Sequence, residues 1–398
     1  MSDAHIFLGN SELGELFRVP HRAGERITFR YGSAWLSDPA HFALDPELHL
    51  DARSTTPARG GLFGALSDVA PDRWGRQLMQ RRERRLAQTE SRPVRTLSEL
   101  DFVLGVSDFS RLGALRLWVD GKFVADGGQV PLLVQLGALL DAATRITRGE
   151  ETDQDFSLIF APGSSLGGAR PKASVLDAHG ALAIAKFPRD GDEYSVELWE
   201  QVALVLARAA GIHAANSRLE RVGKKHVLLS QRFDRKGETR VHFASALTLL
   251  NLRDGDHASY PELAELLQRE GSQPRADAEE LFRRMVFNIS IANVDDHLRN
   301  HGFLREPRGW RLSPAYDLNP VPADLKPRIL STNITLDDAT GSLEAALESA
   351  PYFGLDRAAA EAVIAQVLAQ VARWQTVART LGATKAECQR MESAFLSI

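Results

Sequence analysis

Strand-like and helix-like hydrophobic periods are segregated along this chain, and that segregation restricts its fold more than any single motif does. Ile27, Phe29 and Tyr31 alternate with polar residues in RITFRYG, the period of a half-buried strand. ALRLWVDGKFVA (114–125) holds two short strand patterns around Asp120-Gly121, a pair that suits a tight hairpin turn. Between them, APDRWGRQLMQRRERRLAQ (70–88) predicts a helix with Pro71 as its first residue, because proline is pre-set for that position. Gly127-Gly128 and Pro131 then punctuate the chain before a helical stretch over 131–149. KASVLDAHGALAIAKF (172–187) reads strand, turn, strand, and SVELWEQVALVLARAAGIH (195–213) reads as a helix stopped by Gly211. RLERVGKKHVLLSQRFDR (218–235) reads as a second hairpin. From about 240 onward, PELAELLQRE, EELFRRMVFNISIAN and AAAEAVIAQVLAQVARWQTVART all carry helical spacing. The order predicts an α+β chain with a β-rich N-terminal domain over 1–128, a mixed section over 129–236 and a helical lobe over 237–398, in a two-lobe architecture.

Bulk properties exclude several classes. The 48 basic and 52 acidic residues nearly cancel, to −4, so no general attraction to nucleic acid is expected. A single cysteine, Cys388, rules out a disulfide framework or a Cys-rich metal site. The start, MSDAHIFLGNSELGEL, lacks the basic and apolar regions of a signal peptide. No run of eighteen apolar residues offers a membrane span. A cytoplasmic protein with no membrane partner is expected.

The chemistry concentrates in NVDDHLRNHGF (293–303). Asp295 precedes Asn300 by five residues, and Asp317 follows in LSPAYDLNP (312–320). Phosphoryl transfer needs a carboxylate to orient and deprotonate the attacking hydroxyl. It also needs a second carboxylate and an amide oxygen to hold Mg²⁺, a hard ion that prefers oxygen. The order Asp-x₄-Asn, then Asp, matches protein-kinase catalytic and metal-binding loops. Asp295 is the expected base, with Asp296 the next candidate, and Asn300 and Asp317 are the expected metal ligands. The bland reading is a wet helix end whose acids cap and face water, the commonest fate of such residues. A zinc reading is weaker: His297 and His301 have i, i+4 spacing, but Leu298 stands where the HExxH base belongs.

The mixed section supplies matching parts. Lys186 ends the apolar strand ALAIAKF, where it can meet ATP phosphates; alone, it would read as an exposed edge lysine. Glu200, on the apolar stripe of the following helix, is the expected ion-pair partner of Lys186. Upstream, GSSLGGARPKA (163–173) is a loop whose glycines let backbone N–H groups approach phosphate. It is neither GxGxxG nor a Walker loop, and by itself it signals no more than a turn. The crossover LLSQRFDR (228–235) offers backbone to an adenine edge. The order of these parts along the chain carries more weight than any one of them.

Together SSLGGARPKA, IAKFP, QRFDR, NVDDHLRNHGF and LSPAYDLNP resemble the HipA-type serine/threonine kinases of bacteria, and APDRWGRQLMQRR resembles part of that family's N-terminal domain. The resemblance runs from about residue 6 to 320. It implies a protein-kinase-like core using ATP and Mg²⁺. By position, Asp295 matches the family's base, while Asn300 and Asp317 match its metal ligands. ATP contacts fall on Ser165, Gly167, Gly168, Lys186, Gln231, Phe233 and Asp234. Ser165 matches a loop serine that is autophosphorylated in some members, which displaces the loop and silences the enzyme. The resemblance further implies a toxin of a toxin–antitoxin pair, with a protein substrate (an aminoacyl-tRNA synthetase for well-studied toxins) and a HipB-like DNA-binding antitoxin as partner. Gln231, Asp296 and Arg299 depart from the best-known toxin, which has glutamate, a small residue and lysine there. Competing readings are a small-molecule kinase of the aminoglycoside-phosphotransferase type and a non-catalytic ATP-binding partner protein. The basic run QRRERR (80–85), interrupted by Glu83, reads as a solvated helix face.

Overall fold

The computed structural model describes residues 3–21, 24–124, 130–160 and 170–396. The chain forms two compact units, residues 1–190 with 234–244, and residues 191–233 with 245–398.

The first unit is built on a five-stranded antiparallel sheet in the order Gly24–Tyr31, Ser11–His21, Ala4–Leu8, Leu115–Val119, Lys122–Phe123. Ile6, Leu16, Phe29, Phe63 and Leu117 fill its core. The predicted hairpin turns on Asp120 (φ 49°) and Gly121 (φ 81°), both left-handed, as that dipeptide favours. The helix expected from Pro71 runs Arg73–Thr89 instead. Asp72 claims the cap, because its carboxylate accepts the Gly75 N–H at 2.7 Å and leaves Pro71 outside. Its other oxygen meets Lys172 at 2.7 Å, with both side chains buried.

The stretch expected as one helix over 131–149 is a 3₁₀ turn, Leu133–Gln135, leading into the helix Leu136–Arg148. A separate helix, Asp153–Phe160, follows. The basic run is a solvated face only in part: Gln80, Arg82 and Arg84 are exposed, but Glu83 is buried and Arg81 and Arg85 are half-buried. Arg81 donates to Ile146 O at 2.6 Å and to Glu151 at 3.1 Å, while Arg85 donates to Glu151 O at 2.8 Å and pairs with Asp153. These guanidiniums bind a carbonyl in the last turn of the helix Leu136–Arg148, a group that a helix end leaves open, and one in the connection that follows it. The hairpin Lys172–Leu176/Leu182–Lys186 follows, the strand, turn and strand read from the sequence. Segment 234–244 returns to this unit, where Arg240 and Arg116 share Asp108 at 2.9 and 2.7 Å.

The second unit opens with the helix Val196–Ala209, ended by Gly211 at φ 84°. Next come the hairpin Ser217–Val222/Lys225–Gln231, the helices Tyr260–Glu270 and Pro274–Ser290, and the hairpin Gly302–Glu306/Gly309–Leu312. The tail expected as one long helix breaks into Arg357–Val371 and Trp374–Thr380. The break turns Trp374 onto Phe395, stacked at 4.4 Å, and beside Trp199 at 5.9 Å; that aromatic burial outweighs continued helix propensity. Among the described residues no helix is long and apolar enough to cross a membrane.

Candidate active site

Two loops of the second unit carry the predicted chemistry. The first leaves the helix Pro274–Ser290, which is anchored by buried Phe282, Met285, Phe287 and Ile289. Ala292 then takes a left-handed backbone (φ 49°) that turns the chain out of the helix. Asp295 is exposed and Asp296 is buried. The turn Leu298–Asn300 follows, and the Asn300 amide nitrogen donates to Asp295 O at 2.8 Å. That bond commits the nitrogen, so Oδ1 is the end of the amide that can ligate a cation. The second loop carries Asp317, whose φ of 57° is again left-handed. Such backbone in a residue other than glycine is uncommon and clusters at functional sites.

Three bonds tie the loops together. Tyr316 Oη donates to Arg299 O at 2.7 Å, linking the residues just before Asp317 and Asn300. Asn319 N–H donates to Asn293 Oδ1 at 3.2 Å, and Val321 N–H donates to Ala292 O at 3.2 Å. Asn319 Nδ2 also donates to Asp317 Oδ1 at 3.1 Å, while Asn319 Oδ1 is buried with no protein partner. An oxygen-only donor set beside an orphaned amide oxygen fits a hard divalent cation.

Asp296 is the residue whose place sequence reasoning missed. Only 1% of it is exposed. Its carboxylate accepts the Tyr260 hydroxyl at 2.7 Å and the Ser331 and Thr332 N–H groups at 2.9 and 3.2 Å. Its carbonyl lies 3.0 Å from His301 Nε2, and since a carbonyl only accepts, that nitrogen carries the proton. Burial drives the His301 imidazole down to about 3, so it stays neutral. Burial pushes the Asp296 carboxyl up to about 7, against the pull of its hydrogen bonds. The folded state then holds a proton that the unfolded chain releases near pH 4. This group's contribution to stability is therefore greatest below pH 4 and is lost as the pH rises toward about 7. The unfolding free energy of the wild type minus that of Asp296→Asn should fall across that window. A flat difference in denaturant titrations would mean a carboxylate ionised throughout.

The other predicted residues divide between the units. Phe233 packs against Tyr316 at 5.5 Å, and Gln231 N–H donates to Asn216 O at 2.8 Å, both within the second unit. Glu200 is buried on the helix Val196–Ala209. In the first unit, Lys186 ends the strand Leu182–Lys186. Asp234 is fully buried there, and its Oδ2 accepts the Gly113 N–H and the Arg235 guanidinium, each at 2.6 Å. Ser165, Gly167 and Gly168 lie outside the described residues.

Residues 164–375 match the HipA-like C-terminal domain, and residues 4–100 match the HipA N-terminal domain. The chain belongs to the HipA family. Over 193 residues it is 26% identical to a putative kinase, Y4mE, of Sinorhizobium fredii, covering 42% of this chain and 44% of that one. Over 189 residues it is 24% identical to the serine/threonine-protein kinase toxin HipA of Shewanella oneidensis, covering 39% and 43%. The chain thus spans less than half the length of these curated relatives. A solved Shewanella oneidensis HipA, in a complex with HipB and operator DNA, superposes with a TM-score of 0.72 at 17% identity, over 98% of this chain and 94% of that one. The fold is therefore HipA's, α+β with a kinase-like core, as the segregated periods and the resemblance led one to expect.

Proposed function

We propose that this HipA-family chain is an ATP- and Mg²⁺-dependent kinase that phosphorylates serine or threonine in proteins. The observation that carries the reading is the pair of loops bonded through Tyr316 and Arg299, one bearing exposed Asp295 and half-buried Asn300, the other bearing Asp317. In this reading Asp295 orients the acceptor hydroxyl and takes its proton. Asn300 Oδ1 and the Asp317 carboxylate would hold Mg²⁺, which when bound neutralises charge on the transferred phosphoryl group. Lys186 would hold the nucleotide's phosphates. The backbone of Gln231–Phe233 would meet adenine. Asp234, buried against Gly113 and Arg235, would act by fixing that crossover. Phosphorylation at Ser165 by the chain itself, an aminoacyl-tRNA synthetase as substrate and a HipB-like antitoxin as partner belong to the same proposal. The name of one relative, a serine/threonine-protein kinase toxin, supports the kinase part of this reading, and the assembly of the Shewanella oneidensis protein with HipB supports the antitoxin part.

The test is intact-mass analysis after incubation with ATP and Mg²⁺, followed by peptide mapping. The expected outcome is a mass gain of one phosphoryl group at Ser165, absent with EDTA. Transfer to small hydroxyl compounds but to no protein would overturn the protein-kinase reading. ATP binding with no transfer to anything would point to a non-catalytic role.

A further inference from the structure

Four buried side chains connect the two loops in one direction. Asn319 N–H donates to Asn293 Oδ1 (3.2 Å), and Asn293 Nδ2 donates to Asn288 Oδ1 (3.1 Å). Asn288 Nδ2 donates to Tyr260 Oη (2.9 Å), and the Tyr260 hydroxyl donates to Asp296 Oδ2 (2.7 Å). At the far side, Ser331 and Thr332 N–H groups donate to Asp296 Oδ1. None of Tyr260, Asn288, Asn293 and Asp296 is more than 4% exposed, so water cannot stand in for a lost partner.

Both ends of this relay are backbone N–H groups, which only donate. Each amide or hydroxyl between them accepts on one side and donates on the other, so it passes the polarity along. Residue 296 therefore receives a donor from each direction, and only its ionised, acceptor-only carboxylate, the form that prevails above about pH 7, closes the chain. An asparagine there sets one donor against another. Flipping the neighbouring amides moves that conflict along the relay without removing it, because the Asn319 peptide cannot reverse. The sequence must supply an acid at this position although the side chain is buried among neutral groups.

We propose that Asp296 is a positioning residue for phosphoryl transfer: through Tyr260, Asn288 and Asn293 it holds the Asp317 loop in register with the Asp295–Asn300 loop. The proposal rests on the kinase reading for its catalytic consequence, while its structural part stands independently. The anchoring of Asn319 is the sensitive point, since Asn319 Nδ2 in turn orients the Asp317 carboxylate.

The experiment uses the full chain at pH 8 with two variants, Asp296→Asn and Tyr260→Phe. The second cuts the relay mid-way and leaves Asp296 its backbone donors, so it carries the test if the first fails to fold. Hydrogen exchange is followed at the amides of Asn319 and Val321, with those of the hairpin 302–312 as reference. Both variants should speed exchange at Asn319 and Val321 by about tenfold, on the scale of one buried hydrogen bond, and leave the reference hairpin unchanged. Single-turnover transfer should fall by about tenfold or more, with the KM for ATP within about twofold, as expected when a bond acts by orientation. The double variant should be little worse than the poorer single one, since both break one chain. Unchanged exchange at Asn319 in both variants would overturn the relay. So would acceleration spread evenly over the unit, which marks a merely structural role. A wild type that transfers no phosphoryl group defeats the kinase reading instead, and the exchange measurement still decides the relay.

Discussion

Asp295→Asn should lower phosphoryl transfer by on the order of 10²–10⁴, the usual worth of a positioned general base, and leave nucleotide affinity nearly intact. The asparagine retains an oxygen that can orient a hydroxyl but cannot take its proton. Because the transition state is loose, part of the loss comes from orientation rather than proton transfer. The change is cleanly local. The Asp295 side chain is exposed, and Asn300 holds the loop through the backbone carbonyl of Asp295, not its carboxylate. Surface substitutions of this kind usually alter stability by less than about 0.5 kcal/mol. Equilibrium nucleotide binding and single-turnover assays in parallel measure both halves. Unchanged turnover would remove more than one residue from the role. Asp296, the next candidate by sequence, has both carboxylate oxygens committed to buried donors and cannot reach a substrate hydroxyl. The kinase reading would then have no base in this loop.

The contrast between these two adjacent aspartates marks where sequence reasoning is strong and where it fails. Elements set by local chemistry were legible. Asp120-Gly121 specifies its turn because both residues tolerate positive φ, and Gly211 stops its helix for the same reason. The candidate site was legible as a spacing, Asp295, Asn300, then Asp317, because consecutive groups on two loops keep their order in the chain. Features set by distant partners were not. Nothing near Asp296 announces Tyr260, Asn288, Ser331 or Thr332, and an acid beside an acid reads as a wet surface. The break before Trp374 was hidden in the same way: the run carries no proline or glycine, and the chain turns for an aromatic contact with Phe395. Arg81 and Arg85 looked solvated because the carbonyls they satisfy, Ile146 and Glu151, come more than sixty residues later. A signal was available for that helix start: Thr152 and Asp155 stand three apart and cap one another, the pattern that marks a helix N-terminus.

Removing the Asp317 carboxylate should cost more Mg²⁺-ATP affinity than removing the Asn300 amide. A carboxylate gives a hard cation a full charge, whereas an amide oxygen gives only a dipole. Asn300→Ala should weaken binding by roughly tenfold, and Asp317→Ala by at least on the order of 10²-fold, above the 10–100-fold typical of an outer-shell partner. Alanine at 317 must also hold the left-handed backbone that Asp317 adopts at φ 57°, so some of its effect is conformational. Asp317→Asn separates the two contributions. Asparagine tolerates that backbone, and its side-chain oxygen can still accept from Asn319 Nδ2, so it loses the charge and little else. Calorimetric titration of each variant with Mg²⁺-ATP, alongside thermal unfolding without ligand, gives the order. If Asp317→Asn binds nearly as weakly as Asp317→Ala, the charge is what the metal requires. If Asn300→Ala proves the more damaging, the amide is the principal ligand and the two roles are reversed.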